Sequence, residues 1–315
     1  MSAAPQTSQA RAIAAFILIT LIWGSTWLVI KDQISAVPPA WAVTWRFALA
    51  ALGMFALALV RRERLLLSRE GMLLAAPMGL FQFFANFQFV YQAEHFITSG
   101  LVAVLFALLM VPNALLARVF VKAEVSGRFI AGSAVALVGI ALLLLHEYRA
   151  APAGGAAVLT GIVLTCGAIL SASIANVMQA TERARRQSVV VLIGWAMVFG
   201  TIADGVFAWV VAGPPVFDAS PRQLAGLAYL AIVGSVVTFP LYFALIRDWG
   251  PGKAAYNSVA VPVVAMALSG AGISPPATTL ARSARAARSR TMTGTLMKAS
   301  ITIASHHTSL FCDQA

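Results

Sequence analysis

Nine apolar runs, each near the roughly 20 residues a helix needs to cross the hydrocarbon core of a bilayer, constrain this chain more than any other feature. They fall at about 12–30, 39–60, 71–92, 98–120, 128–145, 155–178, 188–212, 223–246 and 254–270, bounded by charges or by Pro and Gly. Of the 315 residues, 60% are hydrophobic and 10% charged, whereas a soluble globular protein carries roughly 25% charged residues. Little is left for a water-exposed domain. The runs lack the alternating pattern of roughly 10-residue strands that an outer-membrane barrel requires, so helices must satisfy the backbone in lipid. The expected fold is an all-α integral membrane protein of nine spans.

Basic residues gather after every second run: Arg61, Arg62, Arg64 and Arg69, then Lys122 and Arg128, then Arg183, Arg185 and Arg186, then Arg247 and Lys253. The other connections carry Lys31, Arg149 and Arg222. Lys and Arg accumulate in cytoplasmic loops, so the even-numbered loops and residues 1–11 are expected in the cytoplasm of a multi-pass inner (plasma) membrane protein. The net charge of +11 is then a matter of orientation, not of nucleic-acid binding. Cys166 and Cys312 give neither a disulfide framework nor a metal motif. The first run exceeds a signal-peptide core and is expected to stay as the first span.

After Gly270 the composition changes to a segment rich in Ala, Ser, Thr and Arg, with Arg282, Arg285, Arg288, Arg290 and Lys298 on what would be the outer side. Two explanations fit this atypical tail at 271–315. It is a functional basic extension, or a frame shift near residue 270 replaced a tenth span; the second is favoured. Spans 4 and 9 echo each other, an early Ser-Gly and late Pro112 in one, an early Pro-Gly and late Pro262 in the other. A five-span unit follows, and an odd number of spans makes the second copy inverted. The segments are then 12–145, a connecting loop at 146–154, and 155–270 as an incomplete second repeat.

Several polar residues sit deep in these runs. Arg46 lies well inside span 2, where a charge costs at least about 2.5 kcal/mol; it is either an anion-binding or gating charge in a cavity, or an arginine snorkelling to the outer interface. Asp204, near the middle of span 7 and followed by Gly205, is either a proton-coupling carboxylate or the mark of a local break or an interhelical hydrogen bond. In span 3, at 100° per residue, Gln82 and Asn86 share one face and Gln88 and Gln92 another, so one pair can line a cavity while the other joins helices. Trp23 and Trp27 are one turn apart beside Gly24, Ser25 and Thr26. Tyr256 and Asn257 precede Pro262 in a kinked polar segment of the kind transporters place at binding sites. No enzymatic constellation emerges: His95, His146, His306 and His307 form no metal pair on a helix, and no nucleophile has a base at motif spacing.

WGSTWLVIK in span 1, PPAWAVTWRFALAAL in span 2, the Pro-bearing span 4 ending near Glu124, and GPGKAAYNSVAVPVVAMALS together resemble EamA-domain proteins of the drug/metabolite transporter superfamily over residues 12–270. The resemblance implies ten helices in two inverted halves around a central cavity, and export of small metabolites or drugs by alternating access. It places Trp23, Ser25, Arg46, Tyr256 and Asn257 at or near that cavity. Members continue with an acidic residue and a tenth span, which this chain lacks. The expected function is a secondary transporter whose partners are a small-molecule substrate and the lipid bilayer, without a cofactor, monomer and homodimer both being open. The rival reading is an inactive truncated or frame-shifted homologue.

Overall fold

The structure, a computed structural model, describes residues 6–124, 127–150 and 155–270. The expectations for residues 271–315 lie outside the described residues, among which there are helices and connections and no strand. The main helices are α1 (Gln6–Gln33), α2 (Pro39–Val60), α3 (Arg69–Ala93), α4 (Ser99–Val121), α5 (Gly127–Ala150), α6 (Gly155–Ala180), α7 (Val189–Ala212), α8 (Pro221–Trp249) and α9 (Asn257–Gly270). Seven of them, α1 to α4 and α6 to α8, are long and apolar enough to cross a membrane, against the nine spans expected. Of the other two, α5 has 24 residues and α9 has 14, ending where the described residues end.

Local chemistry sets the helix starts. Ser68, Thr98, Ser188 and Ser220 each accept a hydrogen bond on the side-chain oxygen from the backbone N–H three residues on, satisfying a donor that the first turn leaves orphaned. Pro39 opens α2 and Pro221 opens α8, where a missing N–H costs nothing. α3 and α8 are not uniform: Gly79–Ala85 and Tyr229–Val237 are π-helical, a form that inserts a residue into the turn and recurs at functional sites.

The connections sort to two ends. Glu63 accepts from the Ser188 hydroxyl, Arg183 pairs with Glu70 at 3.3 Å, and the Trp195 indole donates to the Leu65 carbonyl at 2.8 Å, so the loops after α2 and α6 lie together. At the other end Arg222 pairs with Asp32, Trp41 donates to the Gly213 carbonyl at 3.2 Å and Trp45 to that of Val216 at 2.8 Å. The loops after α2 and α6 therefore lie at one end of α2 and α7, and those after α1 and α7 at the other.

Packing between helices follows a repeated scheme. α2 packs along α7; α3 meets α7 as α8 meets α2; α3 meets α6 as α8 meets α1; α4 meets α6 as α9 meets α1. Each pairing has a counterpart displaced by five helices. Small residues permit the closest approach. At Gly79 a Cβ would lie 2.2 Å from the Ala196 carbonyl oxygen and 3.0 Å from the Gly200 nitrogen, so the backbones of α3 and α7 touch there.

Candidate functional site

A cavity of about 100 Å³ lies among α1, α2, α3, α4, α6, α8 and α9. Its walls are largely aromatic: Trp23, Trp27, Phe87, Phe106, Phe239 and Tyr242. Its polar lining includes Arg46, Gln82, Asn86 and Asn176. Trp23, Arg46, Gln82 and Asn86 are residues the sequence singles out, and they come together here.

Arg46 is only 2% exposed. Its Nε and one terminal nitrogen donate to the Ser235 hydroxyl at 3.2 Å, the same nitrogen reaches the Gly234 carbonyl at 3.5 Å, and the other donates to the Tyr91 hydroxyl at 3.2 Å. Phe87 lies under the guanidinium, 4.6 Å from carbon to ring centroid, with Phe47 at 5.3 Å, geometry suited to a cation over a π face. The ion pairs among the described residues are Arg183–Glu70 and Arg222–Asp32, so no described carboxylate neutralises Arg46. Of the five N–H groups in its fork, one on the nitrogen facing Tyr91 has no acceptor in the structure.

Gln82 lies within one π-helical segment, Gly234 and Ser235 within the other. Ser235 donates to the Leu230 carbonyl five residues back at 2.8 Å, while the Gly234 carbonyl accepts from Thr238 at 2.7 Å, from the Trp23 indole at 3.3 Å and from Arg46. The inserted turn thus presents main-chain and hydroxyl oxygen to the cation.

Four other cavity atoms are buried without partners: the indole nitrogen of Trp27, Oε1 of Gln82, and Oδ1 of Asn86 and of Asn176. An unmet buried donor or acceptor costs about 1–3 kcal/mol. One donor beside a cation, with three acceptors, makes the cavity both anion- and cation-receptive.

The other sequence candidates lie elsewhere. Ser25 donates to the Ile22 carbonyl at 2.7 Å and shares a hydrogen bond of 2.5 Å with the Tyr229 hydroxyl. Asn257 ties α9 to α1 through the Phe16 carbonyl at 3.2 Å and the Thr20 hydroxyl at 2.6 Å. Tyr256 is 45% exposed. None of the three lines the cavity. Asp204 is fully buried and accepts from Gln88 Nε2 at 2.7 Å, which joins α7 to the face of α3 opposite Gln82 and Asn86. Asn176, which sequence reasoning passed over, holds the cavity's far wall with Asn113 Oδ1 and the Tyr242 hydroxyl, each at 3.5 Å. Its one signal is an amide in an otherwise small and apolar stretch of α6.

Glu94, just past the end of α3, was also missed. It is fully buried, accepts from the Ser99 hydroxyl at 2.8 Å, and leaves Oε1 without a partner. Burial pushes its carboxyl from 4.5 up to about 7, against the lowering effects of Ser99 and Lys31. The folded state therefore holds this proton more tightly than the unfolded chain does. The resulting stability is complete below about 4.5 and is lost as pH rises through about 7, and the shift amounts to roughly 3 kcal/mol. Melting temperature is expected to fall across neutral pH, and Glu94→Gln to remove that part of the fall; an identical pH profile in the variant would contradict the burial.

The EamA-like transporter family matches residues 10–145 and again 159–273. Protein PagO of Salmonella typhimurium is 25% identical over 253 residues, covering 80% of this chain and 82% of that protein. A probable amino-acid metabolite efflux pump of Escherichia coli is 25% identical over 259 residues, 80% of this chain and 83% of the pump. The uncharacterized inner membrane transporter YedA of Escherichia coli is 30% identical over 260 residues, 81% of this chain and 80% of YedA. One solved crystal structure superposes with a TM-score of 0.64 at 18% identity, covering 88% of this chain and 93% of its own, which shows the shared fold.

Proposed function

This chain belongs to the EamA-like transporter family, a family of membrane transporters and not of enzymes, and from that premise we propose that it exports small zwitterionic metabolites of the amino-acid type across an inner membrane. The observation that carries the reading is Arg46, a buried cation without a carboxylate, in a cavity whose unpartnered amide oxygens suit an ammonium. In this assignment Arg46 and the Trp27 indole take the carboxylate, while Gln82, Asn86 and Asn176 take the ammonium through Oε1 and Oδ1. The aromatic walls take an apolar side chain. The amino-acid metabolite efflux pump among its relatives supports the choice of cargo.

Mechanistically, residues 12–145 and 155–270 act as two inverted halves that rock around this cavity and open it to either side in turn, the even-numbered loops facing the cytoplasm. The helix pairings displaced by five, and the two family matches, support that reading. Asp204 is assigned to the bond between α3 and α7. Asp204→Asn keeps an acceptor for Gln88, so it is expected to transport at the wild-type rate, and loss of transport would return Asp204 to a coupling role.

The test of cargo is competition in proteoliposomes. Exchange of labelled phenylalanine should be inhibited by unlabelled phenylalanine, weakly by its amide, which lacks the carboxylate, and weakly by 3-phenylpropionate, which lacks the ammonium. Equal inhibition by all three would overturn the two-ended site.

A further inference from the structure

Glu94 is a described carboxylate that the transport reading leaves without a role. It follows Ala93 at the end of α3, with its side chain fully buried. Three helices meet on it: its own, α4 through the Ser99 hydroxyl on Oε2, and α1 through Lys31, whose ammonium donates to the Glu94 main-chain carbonyl and not to the carboxylate. Gln82, Asn86 and Val90 line the cavity at intervals of four residues, and Glu94 is the next step along that stripe, toward the end where Lys31 closes α1.

We propose that Glu94 is the proton-exchange site of this transporter, taking one proton from the outer solution as solute leaves and releasing it to the cytoplasm when the cavity opens inward. The proposal rests on the exporter reading above and on its orientation. The carboxyl has two states with different partners. When neutral, it needs no counter-ion, and Lys31 stays on the carbonyl, which is the arrangement observed, with Oε1 free. When ionised, it attracts the Lys31 ammonium from the carbonyl to the carboxylate, shifting the end of α1 relative to α3 and α4. Lys31 is the charged side chain facing Glu94 from α1, Ser99 the polar one from α4, and His95 the titratable neighbour in its own segment. Burial and Lys31 both push His95 down, so at neutral pH it is uncharged and does not carry the proton. Burial sets the Glu94 carboxyl at about 7, where it can both load and unload near physiological pH.

Two measurements on the full chain in lipid decide this. Infrared titration across neutral pH should show the carbonyl band of a protonated carboxyl disappearing in the wild type, and Glu94→Gln should lack that band. In proteoliposomes loaded with phenylalanine, a pH gradient should drive wild-type efflux. Glu94→Gln should lose the gradient response while keeping phenylalanine exchange, now independent of pH, and Glu94→Asp, which retains an acid, should keep the response. A missing titration, or gradient-driven efflux unchanged in Glu94→Gln, overturns the proposal. Exchange lost in Glu94→Gln alone also overturns it, because the acid would then serve binding or movement. Exchange absent from the wild type strikes the choice of cargo, and the infrared titration still decides whether Glu94 holds the proton.

Discussion

Arg46→Met is expected to abolish solute exchange while leaving the protein at least as stable as the wild type. The two halves of that result have one cause. A buried charge without a partner of opposite sign is a liability for folding, and here the guanidinium is held by a hydroxyl pair, a main-chain carbonyl and two aromatic faces. Met fills a similar volume without the charge. Ser235 keeps its bond to the Leu230 carbonyl and the Gly234 carbonyl keeps Thr238 and Trp23, which leaves the buried Tyr91 hydroxyl as the group that loses its partner, a cost of about 1–3 kcal/mol set against removal of the buried charge. Cargo, in contrast, loses its charged partner, which is worth about 2–5 kcal/mol for a buried pair, or a drop in affinity of thirtyfold or more at about 1.4 kcal/mol per tenfold. Exchange in proteoliposomes and thermal melting in detergent check the two halves separately. A variant that exchanges normally would show that Arg46 does not touch the solute. A variant that melts far lower would make the arginine a structural brace.

Gly79→Val should fail to assemble. Its first side-chain carbon would meet the Ala196 carbonyl oxygen at 2.2 Å, and neither helix can yield at that point without separating along its length. Overpacking costs typically 1–3 kcal/mol when side chains can move aside; here the obstacle is main chain, so about 3 kcal/mol or more is expected. Gly200→Ala meets Phe83 Cβ at 2.7 Å from the other side of the same crossing and should behave similarly. Gly100→Ala serves as the control, because nothing lies within 4 Å of its added carbon. Size-exclusion profiles and melting curves provide the measure, and a Gly79→Val protein as monodisperse and as stable as the wild type would refute the close crossing.

What the sequence reveals about this site follows from how strongly each residue violates its surroundings. Arg46 is conspicuous because charge deep in an apolar run is costly, and Gln82 with Asn86 because helical periodicity puts two amides on one face. Ser25, Asn257 and Tyr256 look similar in sequence but serve other ends: a hydroxyl that bonds back to its own helix, an amide that staples α9 to α1, and a ring turned outward. Short polar side chains are equally suited to cargo and to packing, so pattern alone does not separate the two. Glu94 was obscured by its place in a connection, where carboxylates are ordinarily solvated; only the three helices closing over it reveal its burial. The π-helical turns leave no mark in an apolar run, because one inserted residue changes which side chain faces the cavity without changing hydrophobicity. Apolar length predicts nine crossings, while seven described helices meet that standard, α5 and the 14-residue α9 being the two outside it.

The displaced pairing of helices is not matched by the placement of charge. Arg46 lies eight residues beyond the Pro38 cap of α2, whereas the same step from the Ser188 cap of α7 reaches Ala196. A solute bound as proposed above would meet its cationic anchor, Arg46, on one side of the cavity only. Under the alternating-access mechanism proposed above, that solute is expected to cross without being turned end over end, the two entrances presenting opposite ends of the same molecule to the water outside.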